Sequence, residues 1–322
     1  MNALSLDFSK IIDEATERIE PFIRKTYFPY SPAFSNITSA DVRFKMENLQ
    51  VTGSFKARGA VNKLLSLDRE QRRKGVVSAS TGNHGAAVAY AAQELNVQCS
   101  IFVPKDASEA KLQNIKNYDA KVEIYGKDCV DSEMKAREVA RQNEQVYVSP
   151  YNDLDVVAGQ GTVGYEINNQ CDGLDVIIVS VGGGGLIGGI ASYLKSVWPG
   201  LYVIGCSPEN SAVMVHSVKK GEILDLESLP TLSDGTAGGI EKHSITFPIC
   251  RDIIDQTILV SEKEIQNGMI KFIENERMLL EGAAGTAVAT LIKMKDELKG
   301  KKVGVVICGG NISLDVLSKI LK

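Results

Sequence analysis

Apolar positions along the chain change period repeatedly, and the two periods alternate. Short, β-branched runs at 42–47, 75–80, 98–103, 121–125, 174–181, 201–206, 256–260 and 303–308 predict strands. Between them, segments near 84–95, 108–117, 129–143, 155–170, 186–197, 262–276 and 283–294 carry apolar residues at helical spacing. Such alternation predicts an α/β fold with mostly parallel open sheets flanked by helices. Val176-Ile177-Ile178-Val179 is apolar on both faces, as a strand covered on both sides requires. The stretch from Val176 to Leu194 runs nineteen residues without a charge, close to membrane-spanning length. Gly182 to Gly185 sits in its middle, so a buried strand, a glycine turn and a buried helix explain it better. Residues 218–246 are the least regular, and Ser233 to Gly239 reads as a loop near a site.

At 322 residues the chain is long enough for two domains. A hydrophobic fraction of 44% with 24% charged residues is that of an ordinary globular protein. The net charge of −4 gives no electrostatic reason to expect nucleic acid or an anionic membrane as a partner. Six cysteines are scattered, without a C-x-x-C pair or a histidine at ligand spacing, which points to a reducing, cytoplasmic setting and no structural zinc. Asp7, Asp13 and Glu14 are unlike a signal peptide.

Candidate chemistry starts at Ser54-Phe55-Lys56-Ala57-Arg58-Gly59. Val42 to Glu47 alternates as a strand, Asn48 to Gly53 reads as a loop, and helical spacing begins at Ser54, a plausible cap. A lysine at a helix N-terminus meets the positive end of the dipole, and partial burial lowers its pKa further, leaving a nucleophilic amine. The plain alternative is a surface lysine with a snorkelling side chain. Glycines then recur where strand meets helix. Ser80-Thr81-Gly82-Asn83-His84-Gly85 precedes one helix, Gly182 to Gly185 another, and Cys308-Gly309-Gly310-Asn311 ends the last strand. Backbone N–H groups in such turns can hold an anion, and in a parallel sheet these ends share one edge. Each is also what a tight turn needs whatever its job. Gly183-x-Gly185-x-x-Gly188 additionally satisfies the dinucleotide fingerprint, with Glu209 after the next strand, so an NAD-dependent dehydrogenase is a reading from a different class. It leaves the lysine unit and the other two loops unexplained.

Together, the lysine unit, STGNHG, the tetraglycine and CGGN closely resemble the fold-type II pyridoxal-phosphate (PLP) enzymes, within them the threonine/serine dehydratase and serine racemase branch. The resemblance spans nearly the whole chain, in order. It implies a tryptophan synthase β-like fold, with residues 1–66 plus 152–322 forming a large PLP-binding domain and 67–151 a smaller mobile one. Lys56 is implied to be the Schiff-base lysine and to move the Cα proton, with Phe55 lining the ring. Asn83 is implied to bond the cofactor's O3′, and Gly182, Gly183, Gly184 and Gly185 to cradle its phosphate. Ser80, Thr81 and the Asn83–His84 backbone are implied to grip the substrate carboxylate. Gly238 and Gly239 are expected beside the cofactor, and Glu281 near its ring or simply as a capping acid. Cys308 is expected under the pyridine nitrogen.

The implied reaction is β-elimination of water from L-threonine or L-serine, giving a 2-oxoacid and ammonia, by a homodimer. Cys308 stands where the branch usually has serine; as a thiol it would favour prompt elimination, and as a thiolate it would act as a counter-ion. Thr81 stands where racemases have serine, which disfavours serine racemase with a dehydratase side activity. A 3-hydroxyaspartate dehydratase is a further alternative, decided by a pocket. Cysteine-synthase-like replacement is disfavoured because those enzymes carry TSGNTG. Ser207 and Val213 stand where the branch places acidic metal ligands, so no metal is expected. The chain ends shortly after CGGN, so feedback through a C-terminal regulatory domain is not expected.

Overall fold

The computed structural model describes residues 7–322. Among these residues nine strands form two sheets: β1 (Asp41–Met46), β2 (Val76–Ala79), β3 (Cys99–Val103), β4 (Lys121–Ile124), β5 (Val146–Tyr147), β6 (Val176–Ser180), β7 (Tyr202–Pro208), β8 (Gln256–Val260) and β9 (Lys302–Ile307). The larger sheet has the order β1-β9-β6-β7-β8 and the smaller β4-β3-β2-β5. All pairings within them are parallel. Every residue of β6 is buried, as its continuous apolar run requires, because helices cover both faces of the sheet.

Parallel register is what gathers the loops. Met46 lies beside Ile307 and Ser180 beside Cys206, so the chain leaves β1, β9, β6 and β7 at one edge of the larger sheet. Ala79 lies beside Phe102 in the smaller sheet, and Ser80 to Gly85 follows at its corresponding edge.

Two main hydrophobic cores match the two sheets. The larger includes the edge-to-face rings of Phe34, Phe44 and Phe272, with centroids 5.0 and 5.1 Å apart for the pairs that share Phe44. The smaller core takes in Ile19 from the helix Phe8–Ile19 and Ala60, Val61 and Leu64 from the helix Lys56–Ser66. The helix carrying the candidate lysine packs on the helix Asn83–Glu94 and on the helix Leu154–Asn168. The uncharged stretch resolves into β6, the glycine turn and the helix Gly185–Val197, and among the described residues no helix is long and apolar enough to cross a membrane.

Candidate active site

The helix Lys56–Ser66 begins at the lysine itself, and Ser54 does not cap it. Ser54 is extended (φ −160°, ψ 160°) and pairs with Gly309 in an antiparallel bridge, leaving Phe55 at the N-cap position without a side-chain cap. A zipper between two loops takes precedence over the cap. Phe55 N–H donates to the Cys308 carbonyl (3.1 Å), Gly310 N–H to that of Gly53 (2.9 Å), and Asn311 Nδ2 to that of Thr52 (2.8 Å). The loop before the lysine is thereby tied to the end of β9. Ser54 Oγ is left buried with no protein partner among the described residues.

Lys56 Nζ donates to the Pro150 carbonyl at 2.7 Å and lies 5.2 Å from the centroid of the Phe55 ring. Burial pushes its ammonium down to about 8, against the attraction of the Glu281 carboxylate. Burial, then the same carboxylate, push the Cys308 thiol well above the ordinary cysteine range, which favours a thiol over a thiolate counter-ion.

Glu281 occupies the N-cap position of the helix Gly282–Lys293, yet its carboxylate caps nothing. It turns instead to Asn83, whose Nδ2 reaches both carboxylate oxygens at 2.9 Å, and to Cys308 Sγ at 3.9 Å. Burial pushes the carboxyl up to about 7, against the hydrogen bond from Asn83. Asn83 Oδ1 accepts from Asn311 Nδ2 at 2.7 Å, so the side chain expected to meet a cofactor oxygen is engaged by Glu281 and Asn311. Close approach is possible because Gly309 has no side chain: a Cβ there would lie 2.7 Å from the Glu281 carboxylate.

The tetraglycine forms the turn between β6 and the helix Gly185–Val197. Among the described residues, no backbone or side-chain acceptor takes the N–H groups of Gly182, Gly183, Gly184 or Gly185. A Cβ on Gly183 would fall 2.4 Å from the Tyr151 ring, and one on Gly182 would fall 2.9 Å from Thr236 Cα. Successive free donors at a helix N-terminus, walled so closely that side chains are excluded, fit a phosphate dianion. With the half-buried amine of Lys56, this donor set fits pyridoxal phosphate.

The remaining candidates are placed as follows. Ser80 N–H donates to the Phe102 carbonyl and Ser80 Oγ accepts from Gly82 N–H at 3.2 Å, while Thr81 is half-buried at the turn. His84 points away into the smaller core, where Nε2 meets the Val148 carbonyl at 2.9 Å and burial holds the ring down at about 3, neutral. Gly238 and Gly239 are exposed, and the contacts of their loop with the site come from Thr236 against Gly182 and Gly235 facing Glu281. Ser207 spends its hydroxyl on the Val181 carbonyl and Val213 is buried.

Sequence reasoning missed the segment Pro150-Tyr151-Asn152. Pro150 holds the lysine, the Tyr151 ring covers Gly183, and Tyr151 OH accepts from Glu241 N–H at 2.9 Å. Asn152 donates to Glu241 and accepts from Ile245 N–H, each at 2.9 Å. The only signal available was a polar break before a helix capped by Asp153.

Parallel strand ends, a half-buried lysine and a turn of N–H groups without acceptors fit an enzyme that carries an aldehyde-bearing phosphate cofactor. Comparison agrees: the pyridoxal-phosphate dependent enzyme family matches residues 19–309, and the chain belongs to that family, in its fold-type II threonine/serine dehydratase and serine racemase branch. The chain is similar to the L-threonine ammonia-lyase of Thermotoga maritima, 38% identical over 311 residues that cover 96% of this chain and 77% of that protein. It is similar to the catabolic L-threonine dehydratase of Escherichia coli K12, 39% identical over 96% of this chain and 94% of that protein. In structure it resembles maize serine racemase, with a TM-score of 0.92 and 31% identity over 97% of this chain and 96% of that one. The family carries pyridoxal phosphate, so the dinucleotide reading of the glycine spacing at 183–188 falls away.

Proposed function

We propose that the chain is an ammonia-lyase that eliminates water from L-threonine, L-serine or both, releasing a 2-oxoacid and ammonia. The observation that carries this is the Lys56 amine, unpaired with any carboxylate and brought near neutrality beside an acceptor-free phosphate turn. Bound pyridoxal phosphate supplies the electron sink that makes a Cα proton removable. Lys56 Nζ, with a pKa near the working range, takes that proton. Ser80, Thr81 and the backbone at Asn83–His84 hold the substrate carboxylate at the start of the helix Asn83–Glu94. Gly182 to Gly185 hold the phosphate. The Cys308 thiol keeps its own proton, so it cannot stabilise a long-lived carbanion as a carboxylate would, and loss of the β-hydroxyl is favoured over racemisation.

Racemisation is the second reading, favoured by the likeness to maize serine racemase and by the half-buried Thr81 hydroxyl. The proposal includes a homodimer and residues 67–151 closing over the substrate against the rest of the chain. Lys111 to Asp234 (3.3 Å) and Arg137 to Glu241 (3.0 Å) are the ion pairs such a motion would strain or form. All six cysteines are free, which supports a cytoplasmic setting.

The test is a visible spectrum of the purified protein before and after L-threonine or L-serine, with 2-oxoacid and D-serine assayed in the same sample. A shifting cofactor band with oxoacid in excess over D-serine is expected, and Lys56→Ala should abolish both band and turnover. Full activity in that variant would sink the assignment of the lysine.

A further inference from the structure

The peptide planes of the tetraglycine are held from behind by a helix that carries none of the recognised motifs. Thr246 begins the helix Thr246–Ile253 and is fully buried, and its Oγ1 donates to the Gly183 carbonyl at 2.5 Å. Cys250, one turn on and also fully buried, sets its Sγ 3.7 Å from the Gly184 carbonyl. A trans peptide is planar, and its C=O and following N–H point in opposite directions. Pinning the Gly183 carbonyl on one side therefore aims the Gly184 N–H at the other. Pinning the Gly184 carbonyl does the same for Gly185 N–H. Both aimed N–H groups are among those that no protein acceptor takes.

The proton inventory fixes the direction of the chain of bonds. A carbonyl only accepts, so the single Thr246 hydroxyl proton goes to Gly183. Thr246 Oγ1 must then accept from Ser244 Oγ, 2.6 Å away, and Ser244 Oγ in turn accepts from Thr246 N–H at 3.3 Å. The segment is itself fixed, because Ile245 N–H donates to Asn152 Oδ1. The Cys250 thiol can also donate at neutral pH, since burial pushes it up to about 12. Gly184 sits at φ +84°, and its carbonyl also takes the Gly188 N–H at 2.8 Å, so the Cys250 contact is a second tie there while Thr246 is the tie on Gly183.

We propose that Thr246, supported by Cys250, is a positioning residue that orients the Gly184 and Gly185 N–H groups toward the cofactor phosphate. This rests on the reading of the tetraglycine as the phosphate cradle. It predicts a defect confined to the phosphate end of the cofactor. Cofactor-free wild type, Thr246→Val and Thr246→Ser would be titrated separately with pyridoxal phosphate and with pyridoxal, which lacks the phosphate. The valine keeps the shape and loses the donor, whereas the serine keeps the donor. Thr246→Val should raise the Kd for pyridoxal phosphate by about five- to ten-fold, the scale of one lost neutral hydrogen bond. Its Kd for pyridoxal should stay within about two-fold, and Thr246→Ser should bind both like wild type. Should Thr246→Val not fold, Thr246→Ala removes the same donor and carries the same expectation. Equal weakening toward both ligands, or none toward the phosphate form, would overturn the positioning role while leaving the family cofactor in place. A wild type that binds pyridoxal as tightly as pyridoxal phosphate would overturn the cradle reading and this inference with it.

Discussion

Arg58 lies two residues after the candidate lysine and reaches into a closed set of charges. Its Nε and Nη2 clasp Glu47 through two bonds of 2.8 Å, and its Nη1 meets Glu166 at 2.8 Å and Thr162 Oγ1 at 3.1 Å. Lys45 Nζ also reaches Glu166, so Lys45 and Arg58 balance Glu47 and Glu166, all four at most 7% exposed. Burial alone would push the Glu166 carboxyl up, but Arg58 and Lys45 outweigh it and hold it below the usual range. In Arg58→Met a buried excess negative charge remains, and Glu47 keeps only the Thr26 hydroxyl as a partner. Breaking one side of such a buried set costs about 3–5 kcal/mol, a large part of total stability. Urea unfolding followed through Trp198, the single tryptophan, would measure it. A carboxyl left unpaired takes up a proton when folded, and a raised folded pKa means stability is lost as pH rises. The deficit should therefore be larger at pH 8 than at pH 5. Adding Glu47→Gln removes the excess charge, and the double variant should recover about 1–3 kcal/mol relative to additivity. A loss below about 1 kcal/mol at pH 8, or strict additivity, would refute the reasoning.

Two further substitutions probe the carboxylate at the site. The folded pKa of Glu281 is raised to about 7, so its contribution to cofactor-free stability is full below about 4.5 and disappears as pH passes 7. Glu281→Gln should flatten the fall in unfolding free energy between pH 5 and 8 by an amount on the order of 3 kcal/mol, and an unchanged slope would remove the shift. In Gly309→Ala the new methyl meets the Glu281 carboxylate at 2.7 Å, so Glu281 must leave Asn83 or Cys308. We expect a stability loss of about 1–3 kcal/mol by thermal unfolding together with loss of turnover, and a variant neutral in both would show that the carboxylate has room to spare.

Most of the parallel architecture was legible because buried strands such as β6 and β9 are continuous apolar runs that no other setting explains. What escaped has physical reasons. β5 is only Val146–Tyr147, too short for any period to show. The helix Arg69–Lys74 buries nothing and is held by the capping box of Asp68 and Gln71, so it carries no apolar stripe. Ser54 had the residue type of a cap, but tertiary pairing with Gly309 claimed its backbone first. Three of the four motifs were readable because they put glycine at a strand end, and the fourth because its lysine opens a helix between an aromatic and small residues. Tyr151, Asn152 and Thr246 were not, because their effect comes through backbone groups of residues distant in sequence.

The contrast between Lys45 and Lys56 explains why only one of them is poised for chemistry. Both amines are withdrawn from water, and desolvation acts on each. Lys45 is met by the Glu166 carboxylate, the Thr26 carbonyl and Gln170, with Arg58 and Glu47 completing a neutral set. Burial outweighs the pull of Glu47 and Glu166 and lowers its pKa as well, but withdrawing its proton would leave Glu166 short of a counter-ion. Lys56 is met by a neutral carbonyl, that of Pro150, beside a neutral thiol. The one carboxylate that pulls on it, Glu281, itself half-protonates near pH 7 and is bound by Asn83 instead. An ammonium so placed loses solvation without gaining a full counter-charge, which is the condition for a free amine near neutrality. Burial supplies the shift, but the choice of partner decides which lysine can use it.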